Sequence, residues 1–290
     1  MKLGFVGLGA MGRPMLGHLI AAGHELAVWA RRPEAAAEAA RAGAAVCATP
    51  AELAARSEVV FSVVTGSADV SELAFGKHGL AEGFQPGGVH VDMSTIAPAT
   101  ARELAERYAA QGVGWLDAPV SGGAVGAEAA TLAIMAGGEA DVLARVLPLL
   151  EKLGSRVVHI GPAGAGQVAK ACNQLIMVAA IEASAEAMRL ASAHGVDIAA
   201  VRQALMGGSA ASRVLEVMGG RMVSRDFSAG VEARLHHKDF AIALGEAHRL
   251  GVPLPVAAQV WQQLNALMAQ GGGRDDTASL LRVLESSSGV

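Results

Sequence analysis

Short apolar runs punctuate the first half of the chain, and between them apolar positions recur every three or four residues. The runs Lys2–Val6, Glu25–Trp29, Glu58–Val64, Gly88–Met93, Gly114–Val120, Thr131–Ala136 and Arg156–Ile160 carry the near-continuous hydrophobicity of strands buried on both faces. The intervening segments Met15–Ala22, Ala51–Arg56, Ser67–Phe75, Pro98–Ala110 and Asp141–Leu153 read as helices, and the alanine-rich stretch Ala35–Ala45 as a surface helix. Strand and helix in alternation predict a Rossmann-like, doubly wound α/β sheet. After Gly161 the pattern changes. Gly161–Gly195 reads as one long helix with a loose, glycine-rich start, followed by helices at Ile198–Met206, Ala233–Gly251, Pro255–Ala269 and Thr277–Leu284, with breaks at Gly207–Gly208, Gly251–Pro253 and Gly271–Gly273. Two domains follow, residues 1–161 and an all-helical 162–290, joined by a helix at about 164–194.

Composition narrows the classes of function. With 290 residues, 52% of them hydrophobic, the chain has material for two cores, and a net charge of −4 offers no basic surface for nucleic acid or an anionic membrane. Only Cys47 and Cys172 are present, which fits a reducing, cytoplasmic setting, with Cys172 expected as a small core residue. No signal peptide or membrane span is legible, since the longest apolar helix is interrupted by Lys170, Asn173, Glu182 and Glu186. Histidines stand at no metal-ligand spacing, so no metal is expected.

The first strand runs straight into Gly7-Leu8-Gly9-Ala10-Met11-Gly12, a GxGxxG pattern that opens a helix and is followed by a second strand. In that context the glycines suit a dinucleotide: a tight turn at Gly7, backbone approach to a pyrophosphate at Gly9, and close helix–strand packing at Gly12. An acidic residue at the end of the second strand would favour NAD, whereas Ala30-Arg31-Arg32 stands here, which favours the 2′-phosphate of NADP, with NAD the alternative. Residues beyond the carboxyl ends of later strands are further candidates: Val64–Thr65, Ser94–Thr95 and Ser121-Gly122-Gly123, the last with a hydroxyl and unhindered N–H groups for an anion. On the long helix, Lys170 and Asn173 share a face one turn apart, and Gly164 and Gly166 before them leave bare backbone where a ligand could enter. A lysine beside a nicotinamide suits proton exchange, because burial and neighbouring cations lower the pKa of such a group toward the working range.

These segments resemble the β-hydroxyacid dehydrogenase family, which includes 3-hydroxyisobutyrate dehydrogenases and tartronate semialdehyde reductases. The likeness is carried by GLGAMGRPM at Gly7–Met15, DMST at Asp92–Thr95, DAPVSGG at Asp117–Gly123, GAGQVAKACN at Gly164–Asn173 and KD at Lys238–Asp239. It implies an N-terminal Rossmann domain for NADP and a helical domain for substrate and dimerisation. It further implies Lys170 as general acid and base, Asn173 as a substrate-orienting amide and Ser121–Gly123 as the carboxylate loop. Thr95 would border nicotinamide and substrate, and Lys238, with Asp239, would reach the cofactor or substrate. The implied substrate is a small anionic hydroxy acid or semialdehyde, and the implied assembly a homodimer or homotetramer. The stretch after the second strand, ARR, departs from the family's usual pattern. Two other readings share the architecture: an imine reductase, which typically lacks a lysine at position 170, and a non-catalytic dinucleotide-binding module.

Overall fold

A sheet and its flanking helices account for the first part of the chain and helices alone for the rest, in a computed structural model that describes residues 1–287. Two compact units divide it, Met1–Lys170 and the chain from Ala171 on. The first unit opens with β1 (Lys2–Val6), α1 (Gly12–Ala21), β2 (Glu25–Trp29), α2 (Pro33–Arg41), β3 (Ala45–Val46), α3 (Pro50–Ala55), β4 (Val59–Ser62) and α4 (Ser67–Phe75). It continues through α5 (Leu80–Gly83), β5 (Val89–Asp92), α6 (Pro98–Ala109), β6 (Gly114–Asp117), β7 (Val120–Ser121) and α7 (Gly123–Glu128). Next come β8 (Ala133–Gly138), α8 (Ala140–Leu150), β9 (Arg156–Gly161) and the first turns of α9 (Ala165–Ala193).

The strands form one sheet in the order β3-β2-β1-β4-β5-β6-β8-β7, with β9 also paired to β8. From β3 to β6 every pairing is parallel, while β8 runs antiparallel to both β6 and β7. Alternation along each strand feeds two cores. Leu3, Phe5, Val59, Phe61, Val89 and Val91 join Met15 and Leu19 of α1 and Val146 of α8 on one face. Val6 and Val60 point the other way, to Leu53 of α3, Val70 of α4 and Leu104 and Tyr108 of α6. Proline at the first helical positions of α2, α3 and α6 starts those helices where a free N–H would otherwise be wasted.

Three expectations change here. The run Gly114–Val120 is not one strand, because Pro119 has no N–H to give a ladder, so β6 ends at Asp117 and Val120–Ser121 turn to pair with β8. Ala35–Ala45 is more than a surface helix: Ala35, Ala36 and Ala39 are buried, and the helix ends at Arg41, before β3, whose Ala45 and Val46 pair with β2. The third concerns the helical unit: Cys172 is exposed rather than a core residue.

That unit holds the remainder of α9, then α10 (Ile198–Met206), α11 (Arg213–Ser224), α12 (Ala233–Leu250), α13 (Pro255–Ala269), a 3₁₀ turn at Thr277–Ser279 and α14 (Leu280–Ser287). Val178, Ile181, Ala185 and Met188 form a helical stripe on α9 and share a core with Met222, Phe240, Leu264 and Leu280. No helix among the described residues is long and apolar enough to cross a membrane.

Glu182 lies inside the stripe, 5% exposed, and neither carboxylate oxygen has a hydrogen-bond partner among the described residues. Burial, aided by the charge of Glu186, pushes its pKa from 4.5 up to about 7. The folded state therefore holds a proton that the unfolded chain releases between pH 4.5 and 7, so stability falls as pH rises through that window and is flat above it. With screening by solvent taken into account, the expected loss is about 2 kcal/mol. Urea melts at pH 5 and pH 8 should show it in the parent, and Glu182→Gln should shrink the pH difference by that amount, leaving the share of Asp117, whose pKa burial also raises; an unchanged pH dependence in the variant would assign the loss elsewhere.

Candidate active site

Between β1 and β4 the direction in which strands are added reverses, which opens a crevice at their carboxyl ends. The glycine loop Gly7–Gly12 lies there. Its glycines are bare for different reasons. A Cβ on Gly7 would lie 2.0 Å from the Val63 carbonyl oxygen, and one on Gly12 would lie 1.9 Å from the Gly7 oxygen, so both positions are closed by the protein itself. Around a Cβ on Gly9 there is nothing within 4 Å, and Gly9 and Ala10 are exposed. Fold packing thus explains Gly7 and Gly12 but not Gly9, where the backbone is open toward a ligand. That cradle fits a dinucleotide pyrophosphate at the start of α1.

The next strand ends are tied together by a buried chain of polar groups. Ser94 Oγ accepts the Val64 N–H at 2.8 Å and donates to Asp92 Oδ1 at 2.7 Å, to which Ser62 Oγ also donates at 2.6 Å. With the Ser62 proton committed to Asp92, His90 Nε2–H donates to Ser62 Oγ at 2.8 Å, and His90 Nδ1 accepts from the Tyr108 hydroxyl at 3.1 Å. Burial lowers the His90 pKa from 6.5 to about 3, so the ring is neutral, as this order of donors requires. A serine, a histidine and an aspartate in contact suggest nucleophilic catalysis, but the order is wrong for it. The carboxylate holds the serine rather than the histidine, and Ser62, His90 and Asp92 are all fully buried. The cluster instead supports Val64 and Ser94 at the edge of the crevice.

The start of α9 crosses the ends of β6 and β8. Asp117, the last residue of β6, is fully buried, and its carboxylate accepts the Gly164 N–H at 2.7 Å and the Gln167 N–H at 3.0 Å. Burial raises its pKa to about 7, against the pull of those backbone donors. The Gln167 side chain reaches the loop after β5, where Nε2 donates to the Ser94 carbonyl at 2.9 Å and Oε1 accepts the Ile96 N–H at 3.0 Å. Thr95 is thereby bracketed on both sides. Lys170, 7% exposed, follows Gln167 by one helical turn on the same face.

Gly164 and Gly166 do not provide the ligand space expected of them. A Cβ on Gly166 would lie 2.3 Å from the Met135 carbonyl oxygen and 2.6 Å from that of Asp117, and one on Gly164 would lie 2.8 Å from the Pro98 oxygen. Both glycines are bare because the sheet and α6 occupy the space. Opposite them, Gly137 of β8 is closed in the same way, with the Gly166 nitrogen 2.6 Å from where its Cβ would be.

Ser121–Gly123 links β7 to α7 with Gly122 at φ 139° and Gly123 at φ 62°, positions that favour glycine. Arg31 and Arg32 are exposed after β2, Arg31 paired with Asp69 at 3.0 Å. In the helical unit, Asn173 donates to Gln174 Oε1 at 2.8 Å, and Gln174 Nε2 donates to Asp239 Oδ2 at 2.6 Å. Lys238 forms an ion pair with Asp239 at 3.0 Å, so these four residues make one polar chain. Sequence reasoning missed Asp117, Gln167, His90 and Gln174 as contributors. A carboxylate ending a strand and a glutamine one turn before Lys170 were the only signals.

A glycine loop at a sheet crossover with polar strand ends beyond it defines a dinucleotide-binding unit, here followed by a helical second unit. Residues 2–161 match the NAD binding domain of 6-phosphogluconate dehydrogenase, and residues 164–284 match the NAD-binding domain of NADP-dependent 3-hydroxyisobutyrate dehydrogenase. The chain is 42% identical over 285 residues to the 2-hydroxy-3-oxopropionate reductase of Escherichia coli K12, which covers 98% of this chain and 97% of the relative. It is 33% identical to the NAD-dependent L-serine dehydrogenase of Pseudomonas aeruginosa PAO1, covering 99% of both. Among solved structures, the Mycobacterium tuberculosis 3-hydroxyisobutyrate dehydrogenase with L-serine superposes with a TM-score of 0.89, at 31% identity over 98% of each chain. The chain belongs to the β-hydroxyacid dehydrogenase family.

Proposed function

We propose that the protein is an NADP(H)-dependent reductase of small semialdehydes to their hydroxy acids, with Lys170 as the general acid. The substrates we favour are tartronate semialdehyde, the semialdehyde of 3-hydroxyisobutyrate, glyoxylate or succinic semialdehyde. The observation that carries this reading is the placement of Lys170, a buried lysine one turn beyond Gln167, which itself brackets Thr95. A bound nicotinamide supplies the hydride. Lys170 donates a proton to the aldehyde oxygen as that oxygen gains charge, and takes one back from solvent; in the oxidative direction its amine accepts the alcohol proton. Ser121, Gly122 and Gly123 hold the substrate carboxylate, Asn173 orients the substrate, and Lys238 adds positive charge for an anion, with Asp239 holding Lys238. Gly7–Gly12, Ala30–Arg32, Val64–Thr65, Ser94 and Thr95 hold the cofactor. The site serves a cytoplasmic enzyme assembled as a homodimer or homotetramer, for which sedimentation of the purified chain is the measurement.

The test is oxidation of NADPH and of NADH with each semialdehyde in turn. Turnover with one of them supports the reading. Tight NADPH binding with no turnover on any would move the assignment to imine reduction or to a non-catalytic module. For cofactor choice, Arg31→Ala with Arg32→Ala should weaken NADPH about 10- to 100-fold, the worth of lost charge-assisted bonds to a phosphate, and leave NADH affinity unchanged. Calorimetric titration of both cofactors checks it, and equal losses for the two would remove the arginines from 2′-phosphate recognition.

A further inference from the structure

We infer that Asp117 and Gln167 are positioning residues that set Lys170 against Thr95, an inference resting on the reading of Lys170 as the proton donor. Four observations within the first unit carry it. Helix α9 begins at Ala165 after Gly164, a residue with no side chain to cap it, and its first N–H groups go instead to a carboxylate about fifty residues upstream at the end of β6. A remote cap ties the helix start to the sheet, where a local one would satisfy the same donors without fixing the helix in space. Gln167 adds the second point of attachment, since its amide spans the Ser94 carbonyl and the Ile96 N–H on either side of Thr95. Gln167 is buried, at 1% exposure, with donor and acceptor both used, which defines its rotamer and the roll of the helix about its axis.

The third observation is the tightness of the crossing. Gly166 and Gly137 meet backbone to backbone around the Asp117 carboxylate, so a side chain at either would displace the helix from Asp117. The fourth is register: Lys170 lies three residues beyond Gln167 on the same helix face, with no hinge between them in α9. Helix height is thus set by Asp117, helix roll by Gln167, and the Lys170 side chain inherits both. Thr95 is fixed by the same glutamine, so the two groups that would flank the reacting carbon move together. A displacement of about 1 Å in such an arrangement costs roughly 10²-fold in rate.

The experiment is a double-mutant cycle on the full-length protein. Gln167→Ala and Asp117→Asn should each lower kcat about 10- to 100-fold, with NADPH affinity and KM within about twofold of the parent. In a Lys170→Ala background the same substitutions should cost less than about twofold, because a residue acting through the lysine has nothing left to position. Equal losses in both backgrounds would show a general structural role and overturn the inference, as would parent-like kcat in Gln167→Ala. Hydrogen exchange of the peptide spanning residues 161–170 reads the clamp without turnover: Asp117→Asn should speed exchange of the Gly164 and Gln167 amides, and unchanged exchange would overturn the capping. If Lys170→Ala itself kept the parent rate, the reading of the lysine would fail first; if that variant were inactive and Gln167→Ala unaffected, only the positioning role would fail.

Discussion

Lys170→Ala is expected to lower kcat for semialdehyde reduction by roughly 10²–10⁴-fold, the range that a positioned general acid contributes, while NADPH binds as before. The separation follows from where the residues lie. The glycine loop that would hold the pyrophosphate opens at the end of β1, and Lys170 belongs to α9, anchored to the ends of β5 and β6. On the proposed role, removing the Lys170 side chain would take away the proton for the developing alkoxide without touching the cradle. Lys170→Arg keeps the charge but not the function, since a guanidinium does not release a proton in the working pH range. Single-turnover oxidation of NADPH by the two variants, beside cofactor titration by fluorescence, makes the comparison. Near-parental turnover in Lys170→Ala would remove the lysine from the chemistry, and a matching loss of NADPH affinity would place it in binding instead.

The second large effect divides the glycine loop in two. Gly7→Ala should destabilise the protein by more than about 3 kcal/mol, because its Cβ must share space with the Val63 carbonyl and the backbone there has φ 97°. Gly9→Val should leave the melting temperature within about 2 °C of the parent, since the new side chain meets open space and exposed substitutions away from packing cost little. It should nonetheless weaken NADPH at least about 10-fold by filling the approach to the helix start. Thermal melts and calorimetric titration of both variants decide the matter. Full NADPH affinity in Gly9→Val would mean that the open face of the loop is not where the cofactor lies.

Much of this was legible in the residue order, and the remainder was hidden for identifiable reasons. The parallel strands β1, β2, β4, β5 and β6 announce themselves as apolar runs because both faces are buried, and α4, α10 and α13 were read with the boundaries they have. Helix α11 escaped notice because Gly219 and Gly220 interrupt its pattern; Gly219 is buried there, where a Cβ would lie 3.0 Å from Leu215. Strand β3 was absorbed into an alanine-rich stretch because its two residues carry no period of their own. For the site, motif spacing brought out the glycine loop, Ser94–Thr95 and Lys170. It did not reveal that Asp117 caps a helix start 47 residues away, or that Gln167 holds the loop around Thr95. Such partners meet only when strand order brings them together, and local periodicity is silent about strand order.

The bare-backbone crossing of Gly137 and Gly166 also bears on how sequences of this fold can drift. Gly137 is closed by the Gly166 nitrogen and the Asp117 carboxylate, and Gly166 by the Met135 and Asp117 carbonyl oxygens, so neither accepts a side chain while the crossing stays where it is. Variation along the start of α9 is left to outward positions such as Val168, 48% exposed. The segment that carries Lys170 is in this way walled off from gradual remodelling, and changes around it have to arise from residues elsewhere.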